Sequence, residues 1–132
     1  MESLEISKLL KEHKTIAVVG LSPKENRPSN QVARYLIEAG YNIIPVNPGQ
    51  SEILEKACYP DLESIPEHVD IVDIFRRTED IPPIVDGAIT IGAKVVWMQL
   101  GIVNEEAAAA ARKAGLTVIM DRCLKVDHMN LA

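Results

Sequence analysis

Apolar residues in this chain fall into two kinds of stretch that alternate along its length. Short, nearly unbroken runs occupy 15–19 (TIAVV), 42–46 (NIIPV), 71–75 (IVDIF), 94–98 (KVVWM) and 116–120 (LTVIM). Longer stretches at 4–12, 29–39, 81–91 and 105–114 space their apolar positions at helical intervals instead. Strands that read as continuous apolar runs, rather than alternating ones, suit a parallel sheet covered on both faces. Repeated strand–helix units then predict a doubly wound α/β fold with a mainly parallel, five-stranded sheet and right-handed crossovers. Gly40 and Gly115 stand where a glycine ends a helix, and Asn104 before two glutamates reads as a helix N-cap. The stretch 48–68, broken by Pro60 and Pro66, is the least regular. A short helix at about 51–56 and a turn at about 62–65 are expected there.

The segment 15–29, TIAVVGLSPKENRPS, carries the most chemical information. An apolar strand runs into Gly20, a polar loop follows, and Pro28-Ser29 opens a helical pattern. Glycine lets a backbone turn tightly and approach a ligand closely. The helix start beyond it offers unpaired amide N–H groups and the positive end of a dipole to an anion. Ser22 and the amides after Gly20 are therefore candidates to hold a phosphate, with Lys24 and Arg27 supplying charge.

In an open α/β sheet, ligands bind beyond the carboxyl ends of the strands. Those ends fall here at Gly20-Leu21-Ser22, Asn47-Pro48, Phe75-Arg76-Arg77, Gln99-Leu100-Gly101 and Asp121-Arg122-Cys123. Phe75 is placed to flank a flat base. An ion pair between Arg76 and Asp73 or Glu79 is the competing structural role. Trp97, inside a strand, is expected in the core. A nicotinamide dinucleotide is a poor match: no G-x-G-x-x-G follows Gly20, and the second strand ends at Asn47-Pro48 rather than at an acidic residue.

Composition narrows the picture further. A chain of 132 residues, 47% hydrophobic and 25% charged, reads as one globular domain spanning 1–132. A net charge of −5 argues against non-specific nucleic-acid binding, which needs a basic field. No apolar run approaches the roughly 20 residues of a membrane span, and no signal-peptide pattern opens the chain, so a cytoplasmic location is expected. Cys58 and Cys123 lack metal-ligand spacing; buried thiols are expected, with Cys123 beside Arg122 and Lys125 the candidate reactive one. His13 and His68 lie away from the strand ends, and His128 is expected on a frayed tail. No metal site and no catalytic motif emerges.

Five motifs, in order, resemble the stand-alone CoA-binding domain family: G-L-S-x-x-x-x-R-P-S at 20–29, P-V-N-P at 45–48, D-I-V-D-I-F-R-R at 70–77, V-W-M-Q-L-G at 96–101 and M-D-R-C-L-K at 120–125. These proteins are similar to the N-terminal CoA-binding domain of the succinyl-CoA synthetase alpha subunit. The resemblance implies a Rossmann-like domain that binds coenzyme A or an acyl-CoA at the strand-end rim. It implies Gly20, Leu21, Ser22, Lys24, Arg27, Pro28 and Ser29 in the phosphate loop and helix start. Asn47 and Pro48 fall in the second loop, Phe75 and Arg76 in the third beside the nucleotide, and Gln99 near the pantetheine arm. Family members often carry a glycine shortly after the pair at 53–54, where this chain has Glu55.

The catalytic histidine of the synthetase lies on a second domain that this sequence does not contain. Non-covalent CoA binding without a reaction of its own is thus the leading expectation. The alternatives are a small enzyme or enzyme subunit acting on CoA thioesters, a CoA-dependent regulatory module, and an NADP-type nucleotide binder. A protein partner or a second copy of the chain also stays open.

Overall fold

Strand residues alternate their side chains between the two faces of a sheet, and in this chain both faces are buried. In the computed structural model, which describes residues 3–131, five parallel strands form the sheet: β1 (Thr15–Val19), β2 (Asn42–Val46), β5 (Ile71–Ile74), β6 (Val95–Met98) and β7 (Thr117–Ile119). Their spatial order is β2-β1-β5-β6-β7. A second, two-stranded antiparallel ribbon joins β3 (Glu52–Ile53) to β4 (Lys56–Ala57).

On one face, Ala17, Val19, Val72, Ile74, Val96 and Met98 lie in a core with Ile81, Val85, Ala88, Ala107, Ala108 and Ala111. Those partners come from α3 (Ile81–Thr90) and α4 (Glu105–Lys113). On the other face, Ile16, Val18, Ile71 and Trp97 share a core with side chains of α1 (Ser3–Glu12), α2 (Pro28–Glu38) and α5 (Leu124–Met129). Continuous apolar strands are the sequence signature of this two-sided burial. The Rossmann-like, doubly wound α/β architecture follows from it.

Helix ends obey the local signals. Gly40 takes a φ of +97°; its N–H donates to Ile37 O, and Tyr41 N–H reaches back to Leu36 O at 3.0 Å. That Schellman closure needs a residue that tolerates the left-handed region. Asn104 caps α4 by accepting from Ala107 N–H at 2.9 Å. Trp97 is fully buried and its Nε1 donates to Arg122 O at 2.8 Å. The turn expected at 62–65 is closed by Ile65 N–H on Leu62 O. Among the described residues, no helix is long and apolar enough to cross a membrane.

Two expectations fail. The short helix expected at about 51–56 is replaced by the β3–β4 hairpin at 52–57. A helix of six residues gains too few hydrogen bonds to offset nucleation, whereas the ribbon buries Ile53 and leads into Tyr59, which pairs alongside Val46 at the sheet edge. The two turn residues, Leu54 (φ 55°) and Glu55 (φ 62°), are both left-handed, the geometry of a type I′ hairpin. His128 does not lie on a frayed tail either, because α5 is docked. Leu124 is fully buried, Tyr35 Oη and His128 Nδ1 are 2.6 Å apart, and Arg122 makes two hydrogen bonds to Asp127 at 2.8 and 2.7 Å.

One polar side chain breaks the apolar pattern of the sheet. Asp73 is fully buried, and neither carboxylate oxygen has a hydrogen-bond partner among the described residues. Its register neighbours are Val18 on β1 and Trp97 on β6. Burial disfavours the charged form and holds this carboxyl well above its usual range.

Two predictions follow from these local features. Glu55→Gly should stabilise the protein by about 1 kcal/mol in urea unfolding, because glycine adopts the left-handed turn without the Cβ clash. For Asp73, the fold favours the protonated acid while the unfolded chain ionises near pH 4. Its contribution is therefore complete below about pH 4 and is lost as pH rises toward the raised folded value. Asp73→Asn should flatten that fall in stability, measured as unfolding free energy from pH 4 to 8; parallel curves for parent and variant would contradict the assignment.

Candidate functional site

Reversal of the chain path places a crevice where β1 feeds β2 on one side and β5 continues on the other. Gly20, immediately after β1, sits at that point. Its N–H donates to Val46 O at 2.9 Å, while Phe75 N–H donates to Val19 O at 2.9 Å. The end of β1 is thus stitched to both neighbouring strands. Gly20 has a φ of +87°, and a Cβ built there would lie 2.4 Å from Phe75 O and 3.1 Å from Arg76 Nε. Glycine is required twice over, for its backbone angle and for the close approach of β5's end.

On the α2 side of this point opens a cavity of about 880 Å³, lined by Gly20, Ser22, Arg27, Pro28, Ser29, Phe75, Arg76 and Gln99 among others. A second cavity, of about 320 Å³, is lined by Pro48 and Arg76 together with Val19, Val46, Pro60, Leu62, Pro83 and Ile84. Arg76 is half-buried, lines both, and has no hydrogen-bond or ion-pair partner among the described residues. The ion pair weighed for it with Asp73 or Glu79 does not form: Asp73 is unpartnered, and Glu79 pairs with Arg77 at 3.1 Å. A sheltered guanidinium without a carboxylate presents five donors to an anion.

The loop between β1 and α2 is more occupied internally than the sequence suggests. Ser29 Oγ accepts from Ser22 N–H at 3.0 Å, Ser22 Oγ accepts from Lys24 N–H at 3.1 Å, and Asn30 Nδ2 donates to Ser22 O at 2.8 Å. Two of the amides expected to face a phosphate therefore hold the loop in shape. Donors that remain include the Ser22 and Ser29 hydroxyls and, in the first turn of α2, the N–H groups of Ser29 and Asn30, which have no partner among the described residues. Arg27 precedes α2, is exposed, and has no side-chain cap.

Other sequence candidates are placed differently. Leu21 is fully buried in the core, and only its carbonyl takes part near the rim, accepting from Asn47 Nδ2 at 3.0 Å. Asn47 also accepts from Gly49 N–H at 3.0 Å, so its side chain braces two loops. Lys24 is exposed and lines neither cavity. Arg122, bound to Asp127, faces a small depression beside α1 instead. His13 and His68 lie 3.9 and 3.2 Å from Asp70, at the amino-terminal rim of the sheet.

To the strand-end residues already named, Leu100 and Cys123 among them, the structure adds Val32, Asp80 and Ile102 in the larger cavity. Position just past a strand end was the signal available for Ile102, but its apolar character hid it from a search for polar groups. Val32, in α2, had none. Cys58 is buried, and its thiol is pushed up by that burial, partly offset by Asn47 O as a hydrogen-bond partner.

A direct check of the Gly20 constraint compares two left-handed glycines. Gly20→Ala should destabilise the protein by more than about 2 kcal/mol in urea unfolding. Gly40→Ala, where a Cβ meets nothing within 4 Å, should cost only the backbone penalty of about 1 kcal/mol. Equal losses would remove the close-approach argument.

Known proteins share both sequence and fold with this chain. It is 44% identical over 124 residues to the uncharacterized protein YneT of Bacillus subtilis, covering 94% of this chain and 92% of that one. It is 29% identical over 129 residues to an ADP-forming acetate–CoA ligase of Archaeoglobus fulgidus, of which the match covers only 19%. A solved structure of a hypothetical protein from Pyrococcus horikoshii superposes with a TM-score of 0.97 at 40% identity, covering 99% of this chain and 92% of that one. The family model described as a CoA binding domain matches residues 14–129, and the chain belongs to that family.

Proposed function

We propose that this chain binds coenzyme A non-covalently across the carboxyl rim of its sheet, making and breaking no bond itself. The observation that carries the reading is Arg76, a sheltered and unpaired guanidinium bridging two cavities beside the close-approach glycine. Arg76, Arg27, the Ser22 hydroxyl and the first turn of α2 would hold the diphosphate. The adenosine would lie in the smaller cavity, between the loop at Pro48 and the loop at Arg76, against Pro60, Leu62 and Ile84. The pantetheine arm would run through the larger cavity past Phe75 to Gln99.

Membership of the CoA-binding family supports this ligand over other adenosine diphosphates. The alternative of NADP draws only on the arginines, and the chain lacks the G-x-G-x-x-G turn of a dinucleotide site after Gly20. Ligase activity belongs to relatives of which this chain spans about one-fifth, and the proposal assigns none of it here.

Arg27→Ala should weaken CoA binding by about 1.5–3 kcal/mol, the range for a lost charged hydrogen bond, as read by isothermal titration. Unchanged affinity would remove Arg27 from the site. In a thermal-shift assay CoA should raise the melting temperature and NADP should not; the reverse result would overturn the ligand assignment.

A further inference from the structure

The larger cavity changes character along its length. Ser22, Arg27, Ser29 and Arg76 line the end nearest α2, whereas Leu100 and Ile102 line the end beyond β6; the Arg77–Asp80 ion pair also borders the cavity. Leu100 is 71% exposed, and neighbouring Val103, outside the cavity lining, is 41% exposed. Large apolar side chains left open beside a binding cavity mark a surface that gains by being covered. Within this apolar end, Gln99 is 95% buried, at 5% exposure. Its Oε1 is used, accepting from Leu124 N–H at 3.2 Å. Its Nε2 amino group has no hydrogen-bond partner among the described residues, and the side chain lines the cavity.

Among the described residues only the Asp73 oxygens are sealed from solvent without a partner, so the Gln99 amino group is open to the cavity, where a ligand carbonyl can accept from it. A ligand that fills the whole cavity has an anionic head, a carbonyl at Gln99 and an aliphatic tail beyond it. We infer that the Leu100–Ile102 end seats the acyl group of an acyl-CoA thioester, with Gln99 Nε2 donating to the thioester carbonyl oxygen. The inference rests on the CoA reading above and narrows it from free CoA to thioesters carrying an apolar chain longer than acetyl. A protein surface covering Leu100 and Val103 is the rival occupant. It would leave the Gln99 donor, which faces the cavity interior, without the carbonyl it lacks.

The test is a chain-length series by isothermal titration: CoA, then acetyl-, butyryl-, hexanoyl- and octanoyl-CoA. Affinity should rise roughly two- to fourfold for each methylene covered, until the chain outruns the shelf. Leu100→Ser, at an exposed position that does not threaten folding, should reduce the gain per methylene. Gln99→Glu keeps the acceptor for Leu124 N–H and removes the donor. It should weaken hexanoyl-CoA by about tenfold and free CoA by much less. One dissociation constant for all chain lengths would overturn the acyl seat, and equal losses for CoA and hexanoyl-CoA in Gln99→Glu would overturn the carbonyl assignment. Failure of CoA itself to bind would instead remove the underlying reading, and the inference with it.

Discussion

The site depends on one steric fact: the backbone after β1 passes so close to the end of β5 that no side chain fits between them. Phe75 O occupies the space a Gly20 Cβ would take, at 2.4 Å. This approach lets Arg76 turn toward the β1–α2 loop and border the cavities on both sides of the sheet. A bulkier residue would push the two strand ends apart and separate the helix start from the guanidinium. The hydrogen bonds from Gly20 to Val46 and from Phe75 to Val19 make the arrangement a continuation of the sheet rather than an independent loop.

Local placement also reconciles an acidic chain with an anionic ligand. The net charge is −5; at the larger cavity Asp80, with Glu79, is paired to Arg77, whereas Asp61 and Glu63 border the smaller one. Among the described residues, Arg27 and Arg76 have no carboxylate partner. Screening confines the influence of distant surface charges to about 10 Å in physiological salt, so the field a ligand meets is set by these few groups. Asp73 is buried beneath the rim, where burial raises its pKa and disfavours a negative charge.

Most of the architecture was legible because burial on both sheet faces writes itself directly into the strands. Two-sided burial demands unbroken apolar runs, and TIAVV or VVWM admits little else. Helix closures at Gly40 and the cap at Asn104 were legible for the same reason, each being a local chemical requirement. Elements held by distant contacts were not. The hairpin at 52–57 depends on Ile53 finding the core and on a left-handed pair, Leu54-Glu55, whose side chains argue against that conformation. Helix α5 depends on Tyr35, far away in sequence, meeting His128. At the site, the glycine, Ser22, Arg27 and Gln99 could be read from strand ends, and they do converge on one cavity. Leu21, Lys24 and Asn47 share those loops but turn into the core, into solvent and into a brace. Loop membership alone does not fix where a side chain points.

Backbone amides report ligand position without perturbing any residue, so a titration of CoA into uniformly ¹⁵N-labelled protein addresses the central claim most directly. The account predicts chemical-shift changes concentrated at Gly20–Ser22, the first turn of α2, Phe75–Arg77 and Gln99–Ile102, with α4 unaffected. Changes confined to the depression of about 630 Å³ lined by Arg34, Tyr35, Glu38, Leu54 and Lys125, or no change at saturating ligand, would contradict it.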